Sequence, residues 1–220
     1  NVSKMNKFTL FLALLVLSCN QNKKLDTLNS KDIPNSTVVK KEDTSEITFS
    51  DSNLLIIPGK SIGDTALLDD SATLEKFGKP SFSDAAMGKA WLLWPGFGLD
   101  ATGKITTLAV FVTYNGSDMT KQVIKRIRIT SPDFKTAEFA HTGMTYEEIE
   151  KLYPSLVFDS KMSNSDSTTR TKFYTIKNTG ISFEFQNFNN SQICTAIAIA
   201  SVEEISDQPY LDLDSAENLR

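Results

Sequence analysis

The chain has 220 residues, with 23 Lys and Arg against 27 Asp and Glu, a formal net charge of -4, one His and two Cys. One His cannot supply a two-His zinc site, and two Cys cannot build a Cys-rich cluster or a multi-disulfide framework. The acidic balance exerts no electrostatic pull toward nucleic acid, while 40% hydrophobic and 23% charged residues are ordinary for a chain with a packed core.

The first element is an address. Met5-Asn6-Lys7 precedes an apolar run from Phe8 to Leu17, broken only by Thr9, and Ser18-Cys19 follows. A spanning helix needs about 20 apolar residues, and this run stops at half that length. Lys4 and Lys7 supply a positive n-region and Ser18 a small residue before the cysteine, the order of a secretory signal. Val16-Leu17-Ser18-Cys19 resembles the lipobox of bacterial lipoproteins, with Leu17 bulkier than the residues common at its place. The resemblance implies that residues 1–18 are a signal peptide, removed to leave Cys19 acylated with palmitate-type chains. At about 0.8 kcal/mol per buried CH₂, two or more such chains make membrane anchoring effectively permanent. The same resemblance implies the location: in the best-known lipoprotein sorting system Asn20, rather than Asp, is compatible with release to the outer membrane, which is the expected location over the inner one.

Residues 19–46 are mostly Asn, Lys, Ser, Thr and Asp without periodicity, and read as a disordered tether too polar to offset its ordering entropy. From Ile47 the texture changes to strand-like runs and short helices. Leu68 to Gly78 can be laid over Gly143 to Tyr153, about 75 residues apart. Both pieces carry a polar start, an aliphatic followed by Glu-Lys (Leu74-Glu75-Lys76 and Ile149-Glu150-Lys151), a second large apolar residue three positions after the first, and a breaker. Asp70 is the expected cap of the first helix, with Gly78-Lys79-Pro80 as its stop. Thr145 and Glu148 have capping-box spacing in the second, which Pro154 ends.

Three strand-like runs follow each helix: Ala90 to Trp94, Ile105 to Tyr114 and Val123 to Thr130, then Thr171 to Ile176, Gly180 to Phe185 and Ile193 to Val202. Val123, Ile127 and Ile129 alternate with Arg126 and Arg128, and Ile181, Phe183 and Phe185 with Ser182, Glu184 and Gln186. This is the period of a sheet with one covered face. The expected fold is α+β: tandem helix-on-antiparallel-sheet modules at 47–131 and 132–206, with an acidic tail at 207–220.

That pattern resembles the tandem modules of the β-lactamase-inhibitor-protein group and the single module of the small outer-membrane lipoproteins of the barrel-assembly machinery. Gly143-Met144-Thr145-Tyr146-Glu147-Glu148-Ile149 matches the helix opening of those repeats; the first copy departs, with Leu68 at the glycine position. Pro58-Gly59-Lys60-Ser61-Ile62-Gly63 and Asp84-Ala85-Ala86-Met87-Gly88-Lys89-Ala90 also resemble segments of a group of bacterial lipoproteins to which no activity attaches.

Chemistry is sparse. Gly59-Lys60-Ser61 ends like a P-loop, but Leu54 stands where the earlier glycine is required, so no nucleotide is expected. His141 would need a nucleophile and an orienting carboxylate; Ser131 and Asp133 are candidates through closeness in sequence alone. Cys194 lies among small apolar neighbours, the setting of an unreactive packed thiol. No cofactor or metal ligand set is recognised, and Asp212, Asp214 and Glu217 lack the order of a calcium loop.

Two sets of residues are candidates for partner binding. Arg126 and Arg128, beside Lys121 and Lys125, share a strand face that reads as solvated and able to meet an anionic partner. Met87, Trp91, Trp94 and Phe97 either line an apolar groove or fill the core beneath a helix, and Pro95-Gly96-Phe97-Gly98 reads as a turn. The expectation is a lipid-anchored envelope protein that binds a protein or peptide partner without catalysis. The alternatives are an envelope hydrolase with a site scattered through the sequence, and a purely structural envelope protein.

Overall fold

The computed structural model describes residues 51–100, 103–116, 118–159 and 171–206, which belong to one compact unit, Thr44–Arg220. The expected signal peptide, Cys19, the tether and the acidic tail lie outside the described residues. A 3-10 helix, Asp51–Leu54, leads into β1 (Leu55–Ile57), β2 (Ser61–Ile62) and β3 (Thr65–Ala66), and a second 3-10 helix spans Ser71–Phe77. A meander follows: β4 (Phe82–Ala86), β5 (Lys89–Leu99), β6 (Ile105–Asn115) and β7 (Asp118–Ile129). After β8 (Lys135–Thr136) come α1 (Tyr146–Leu152), β9 (Leu156–Phe158), β10 (Lys172–Ile176), β11 (Ile181–Phe188) and β12 (Ser191–Ala200).

Eight of these strands form one antiparallel sheet in the order β4-β5-β6-β7-β12-β11-β10-β9. Its centre is the pairing of β7 with β12, where Ile127 faces Ile199 and Ile129 faces Ile197. A small second sheet, β3-β2-β1-β8, contains the one parallel pair among the described residues, β1 with β8.

This corrects the expected α+β fold of tandem helix-on-sheet modules. The structure is mostly β, and the strands of residues 47–131 and 132–206 are zipped into a single sheet instead of lying under separate helices. The physical reason is edge satisfaction: β7 and β12 would each end a smaller sheet with a row of unpaired N–H and C=O groups, and each closes the other's edge. The helices are also too short to cover such a sheet. At residues 71–77 the chain is 3-10 rather than α, because Thr73 donates both its backbone N–H (3.0 Å) and its hydroxyl (2.8 Å) to the Asp70 carbonyl, diverting it from i→i+4 pairing. Asp70 still caps it, accepting from the Ala72 N–H at 3.0 Å. At α1 the capping box of Thr145 and Glu148 is present.

One face of the large sheet holds the main core. Leu108, Val110 and Val112 of β6, Ile124, Ile127 and Ile129 of β7, and Phe183, Phe185, Ile197 and Ile199 of β11 and β12 are buried together. Leu74 and Ile149 cap this core from the two helical segments, and Ile56 and Ile62 close it from the small sheet. Tyr146 and Tyr153 of the α1 region lie against Phe185 and Phe183, with ring centroids 5.6 Å apart in each case. Each fully buried Val, Leu, Ile or Phe of this core contributes about 1.5–3 kcal/mol; the two tyrosines are partly buried.

The opposite face is also covered. Trp91, Leu93, Ala109 and Phe111 form a second buried cluster, and Ser182, Glu184, Ala198 and Ala200 are buried farther along it. The turn at 202–206 crosses this face, where Arg126 Nη2 donates to the Glu204 carbonyl at 3.2 Å. β5 runs straight through Pro95-Gly96-Phe97-Gly98: the expected turn is a bulge, with a register shift between Pro95 and Leu99. Gly96 (φ 99°) and Gly98 (φ 97°) supply left-handed conformations inside it, and Pro95 costs the ladder one donor there.

Candidate functional site

The residues expected to bind a partner are dispersed by this architecture. Trp91 packs on Phe111, with ring centroids 5.3 Å apart. Trp94 belongs to the main core, where its Nε1 donates to the Gly78 carbonyl at 3.0 Å. Phe97 is buried between Phe77 and Phe134. The aromatics therefore fill two cores on opposite faces and line no common groove. Met87 alone of the set is on the surface, 98% exposed at the β4–β5 turn.

Arg126 and Arg128 are likewise not on a solvated face; both are 2% exposed. Arg128 meets Glu184 in a bidentate pair, Nε to Oε1 and Nη2 to Oε2, each at 2.9 Å. The alternation of β7 and β11 places these charges on the face opposite the isoleucines and phenylalanines, but that face is covered. A fork-to-carboxylate pair is the form in which such charges tolerate burial. Cys19 lies outside the described residues.

A surface hollow of ligand-sized dimensions lies elsewhere, at the head of β7. That strand stops at Ile129, while β6 and β12 on its two sides run on to Ile105 and Ser191. The space between their ends is a pocket of about 660 Å³, within the range of roughly 300–1,000 Å³ found for ligand sites. Leu99 and Asp100 at the end of β5 form one wall, and Ile193, Cys194 and Thr195 of β12 the other. Thr130 and Pro132 line the floor segment, and His141 to Gly143 close it on the side of α1. Phe188 and Asn189 of the β11–β12 turn complete the rim. Leu99 and Phe188 stay 59% and 48% exposed there, beside Ile105, the cross-strand partner of Leu99.

The walls are held by a dense local network. Gly143 N–H donates to the Cys194 carbonyl, and Cys194 N–H to the Met144 carbonyl, each at 2.8 Å, so residues 143–145 extend the ladder along β12 above the end of β7. Thr142 Oγ1 donates to the Thr130 carbonyl at 3.0 Å, and Thr130 Oγ1 accepts from Thr107 N–H at 2.8 Å. Thr195 Oγ1 donates to the Glu184 carbonyl at 3.4 Å. At the β5–β6 turn, Asp100 Oδ1 accepts from Lys104 N–H at 2.9 Å.

His141, the single histidine of the chain, contributes its ring to the lining. Its Nδ1 is 2.7 Å from the Thr142 carbonyl. A carbonyl only accepts, so Nδ1 is the donor of this bond and the ring is oriented by it. The expected neighbours do not assemble a catalytic group. Ser131 Oγ lies 3.4 Å from Asp133 Oδ2 and accepts from Asp133 N–H at 3.3 Å, a local turn that leaves the imidazole bonded to main chain. Burial pushes the Cys194 thiol well above its ordinary range, and the nearby Glu184 carboxylate adds to the effect. The thiol is thus kept protonated, with Sγ 3.4 Å from the Ala196 carbonyl. Among the described residues no group of three or more His, Cys, Asp or Glu side chains is placed to hold a metal ion, and no helix is long and apolar enough to cross a membrane.

No single strong sequence signal marks this pocket, since its residues come from separate segments. The exposed Leu99 and Phe188 at strand ends and the one His are the features that sequence offered. No protein-family model and no curated protein matches the chain. Among solved structures, the crystal structure of the uncharacterized protein yfeY from Escherichia coli is similar, with 12% identity and a TM-score of 0.29 over 65% of this chain and 95% of that one. A likeness at that level carries neither fold nor function across.

Proposed function

We propose that this chain is a lipid-anchored protein of the bacterial cell envelope, held through Cys19 at the outer membrane, that binds a polypeptide partner without transforming it. The observation that carries the binding part is the pocket at the head of β7: it is ligand-sized, rimmed by exposed Leu99 and Phe188, and built from polar groups already engaged with one another. Of the groups in it that chemistry would use, the Cys194 thiol is buried and protonated, and His141, oriented by the Thr142 carbonyl, has no nucleophile or carboxylate hydrogen-bonded to it among the described residues. The anchoring part is supported by the order of positive charge, apolar run, Ser18 and Cys19 in the sequence.

The test is made in intact cells with the full chain. A photo-crosslinking residue in place of Asn189 should yield one discrete adduct with an envelope protein, and Thr195→Trp, which fills the pocket, should remove it. Adducts unchanged by Thr195→Trp would sink the pocket as the binding place. In the same cells, labelled palmitate should enter the chain and be lost with Cys19→Ser; retention of the label would remove the anchor.

A further inference from the structure

We infer that the outer edge of β9 is a docking site for this chain's own residues 210–214, Tyr210-Leu211-Asp212-Leu213-Asp214, which lie antiparallel along it as a further strand of the large sheet, with the two leucines on the side of Phe158. This goes beyond the binding reading above and does not depend on it.

The two edges of the large sheet differ. β4, at one end of the order, exposes Ser83, Asp84, Ala85 and Ala86, small or charged residues of the kind that blunt an edge. β9, at the other end, exposes Val157 (56%) and Phe158 (49%) and has no charge in its three residues. Its ladder to β10 fixes which backbone groups are left over. Asp159 N–H is spent on the Phe173 carbonyl at 2.8 Å, one step beyond the pair of Phe158 with Tyr174. Bonded and non-bonded pairs alternate along an antiparallel ladder, so the N–H and C=O of Phe158 point away from β10, where β9 has no neighbour among the described strands. The Phe158 ring stands against Tyr174, with centroids 5.6 Å apart, and Tyr174 against Tyr146 of α1 at 4.9 Å. An aromatic shelf thus runs out to the edge and ends open.

The occupant follows from where the described chain leaves the sheet. Ser206, the last described residue, donates its hydroxyl to Asp159 Oδ2 at 2.6 Å, at the outgoing end of β9. Asp207-Gln208-Pro209 come next, and Asp and Pro favour a turn. In the five residues that follow, Leu211 and Leu213 alternate with Tyr210, Asp212 and Asp214, the period of a strand with one apolar side. At about 3.3 Å per residue, the four steps from Ser206 to Tyr210 reach about 13 Å, and the whole of β9 is only about 10 Å long. A segment that starts at the Asp159 end runs back toward Leu156, which makes it antiparallel to β9. Its leucines then cover the open end of the shelf, and Asp212 and Asp214 give the new outer edge the charge that β9 lacks.

The experiment uses the full chain carrying Cys19→Ser, which leaves the buried Cys194 as its native thiol. Phe158→Cys combined with Leu211→Cys or with Leu213→Cys should close a disulfide within one chain under mild oxidation in at least one of the two pairs, whereas Phe158→Cys with Asn218→Cys should not. Hydrogen exchange gives the second readout. In the Cys19→Ser parent the Phe158 amide should exchange at least about tenfold more slowly than in the variant Leu211→Asp/Leu213→Asp, as expected for an amide held in a ladder. The amides of Ile127 and Ile199 should exchange alike in both, which shows that the variant keeps its sheet. Equal exchange at Phe158 in parent and variant would overturn the inference. So would a disulfide to Asn218 that forms as readily as those to the leucine positions, the mark of a segment that passes the edge without settling on it. Disulfides formed only between chains, with protection of Phe158 that is lost on dilution, would assign the edge to a second copy of this chain instead.

Discussion

At the scale of single residues, the pair of Arg128 and Glu184 decides more than any other contact. Two charges at 2% exposure have given up their hydration, and their bidentate geometry offsets that cost only while both are present. Replacing one partner strands the other. Glu184→Leu should therefore cost about 3–5 kcal/mol of stability, read as a fall in the urea midpoint. Combining it with Arg128→Met should recover much of the loss, and a double-mutant cycle that shows simple additivity would deny the coupling. The sequence already held half of this. Arg126 and Arg128 alternate with isoleucines, and Ser182, Glu184 and Gln186 with aromatic and aliphatic residues, so the shared face was legible. What covers that face was not, because alternation records which residues lie together and says nothing of what packs on them. The same gap hid the fate of Trp91 and Trp94, adjacent in function on paper and on different cores in space.

At the scale of elements, α1 shows how little local structure the fold demands. Seven residues make a helix that would be marginal alone in water; its capping box and the burial of Ile149 hold it. Thr145→Ala removes the cap and should cost about 1 kcal/mol, measurable as a lower melting temperature. Glu148 adds a pH dependence. Hydrogen bonds from the Thr145 backbone and then its hydroxyl hold the Glu148 carboxyl below its ordinary value of 4.5. A carboxyl depressed by folding lends stability that is present above its unfolded value and is lost as the pH falls through its folded value. The contribution should thus be constant above about pH 4.5 and shrink in more acid solution, and Thr145→Ala, which keeps the backbone donor, should reduce that acid limb only in part, whereas Glu148→Gln should remove it. This element was legible because its signals, Thr145, Glu148 and Pro154, are local. The bulge in β5 was not: Pro95 with two glycines is turn chemistry in isolation, and only the neighbouring strand β6 turns it into a continued strand.

At the scale of the molecule, the sheet is closed at its lower end by a contact between distant glycines. A Cβ on Gly180 would lie 2.3 Å from the Ala200 carbonyl oxygen and 2.9 Å from Cα of Gly59, and its φ is 71°. Gly180→Ala should cost about 1–3 kcal/mol for the backbone conformation alone, and more as the loop carrying Gly59 is pushed away. A melting temperature unchanged from the parent would contradict this contact. The pocket belongs to the same scale, and for that reason it escaped the sequence: it exists where β7 ends before its neighbours, a relation among three strands that no single segment encodes. That central pairing also sets an order of events. As the chain is made, β7 is complete long before residues 197–200 arrive to join it, and for that interval it is a bare edge open to other chains. Arg126 and Arg128 put charges on the side of β7 that is later buried, and inward-pointing charge is one of the devices that blunt an exposed edge. Glu184 and β12 take those charges into the interior of the finished sheet, so one short stretch of sequence has the composition of a blunted edge and the position of a central strand.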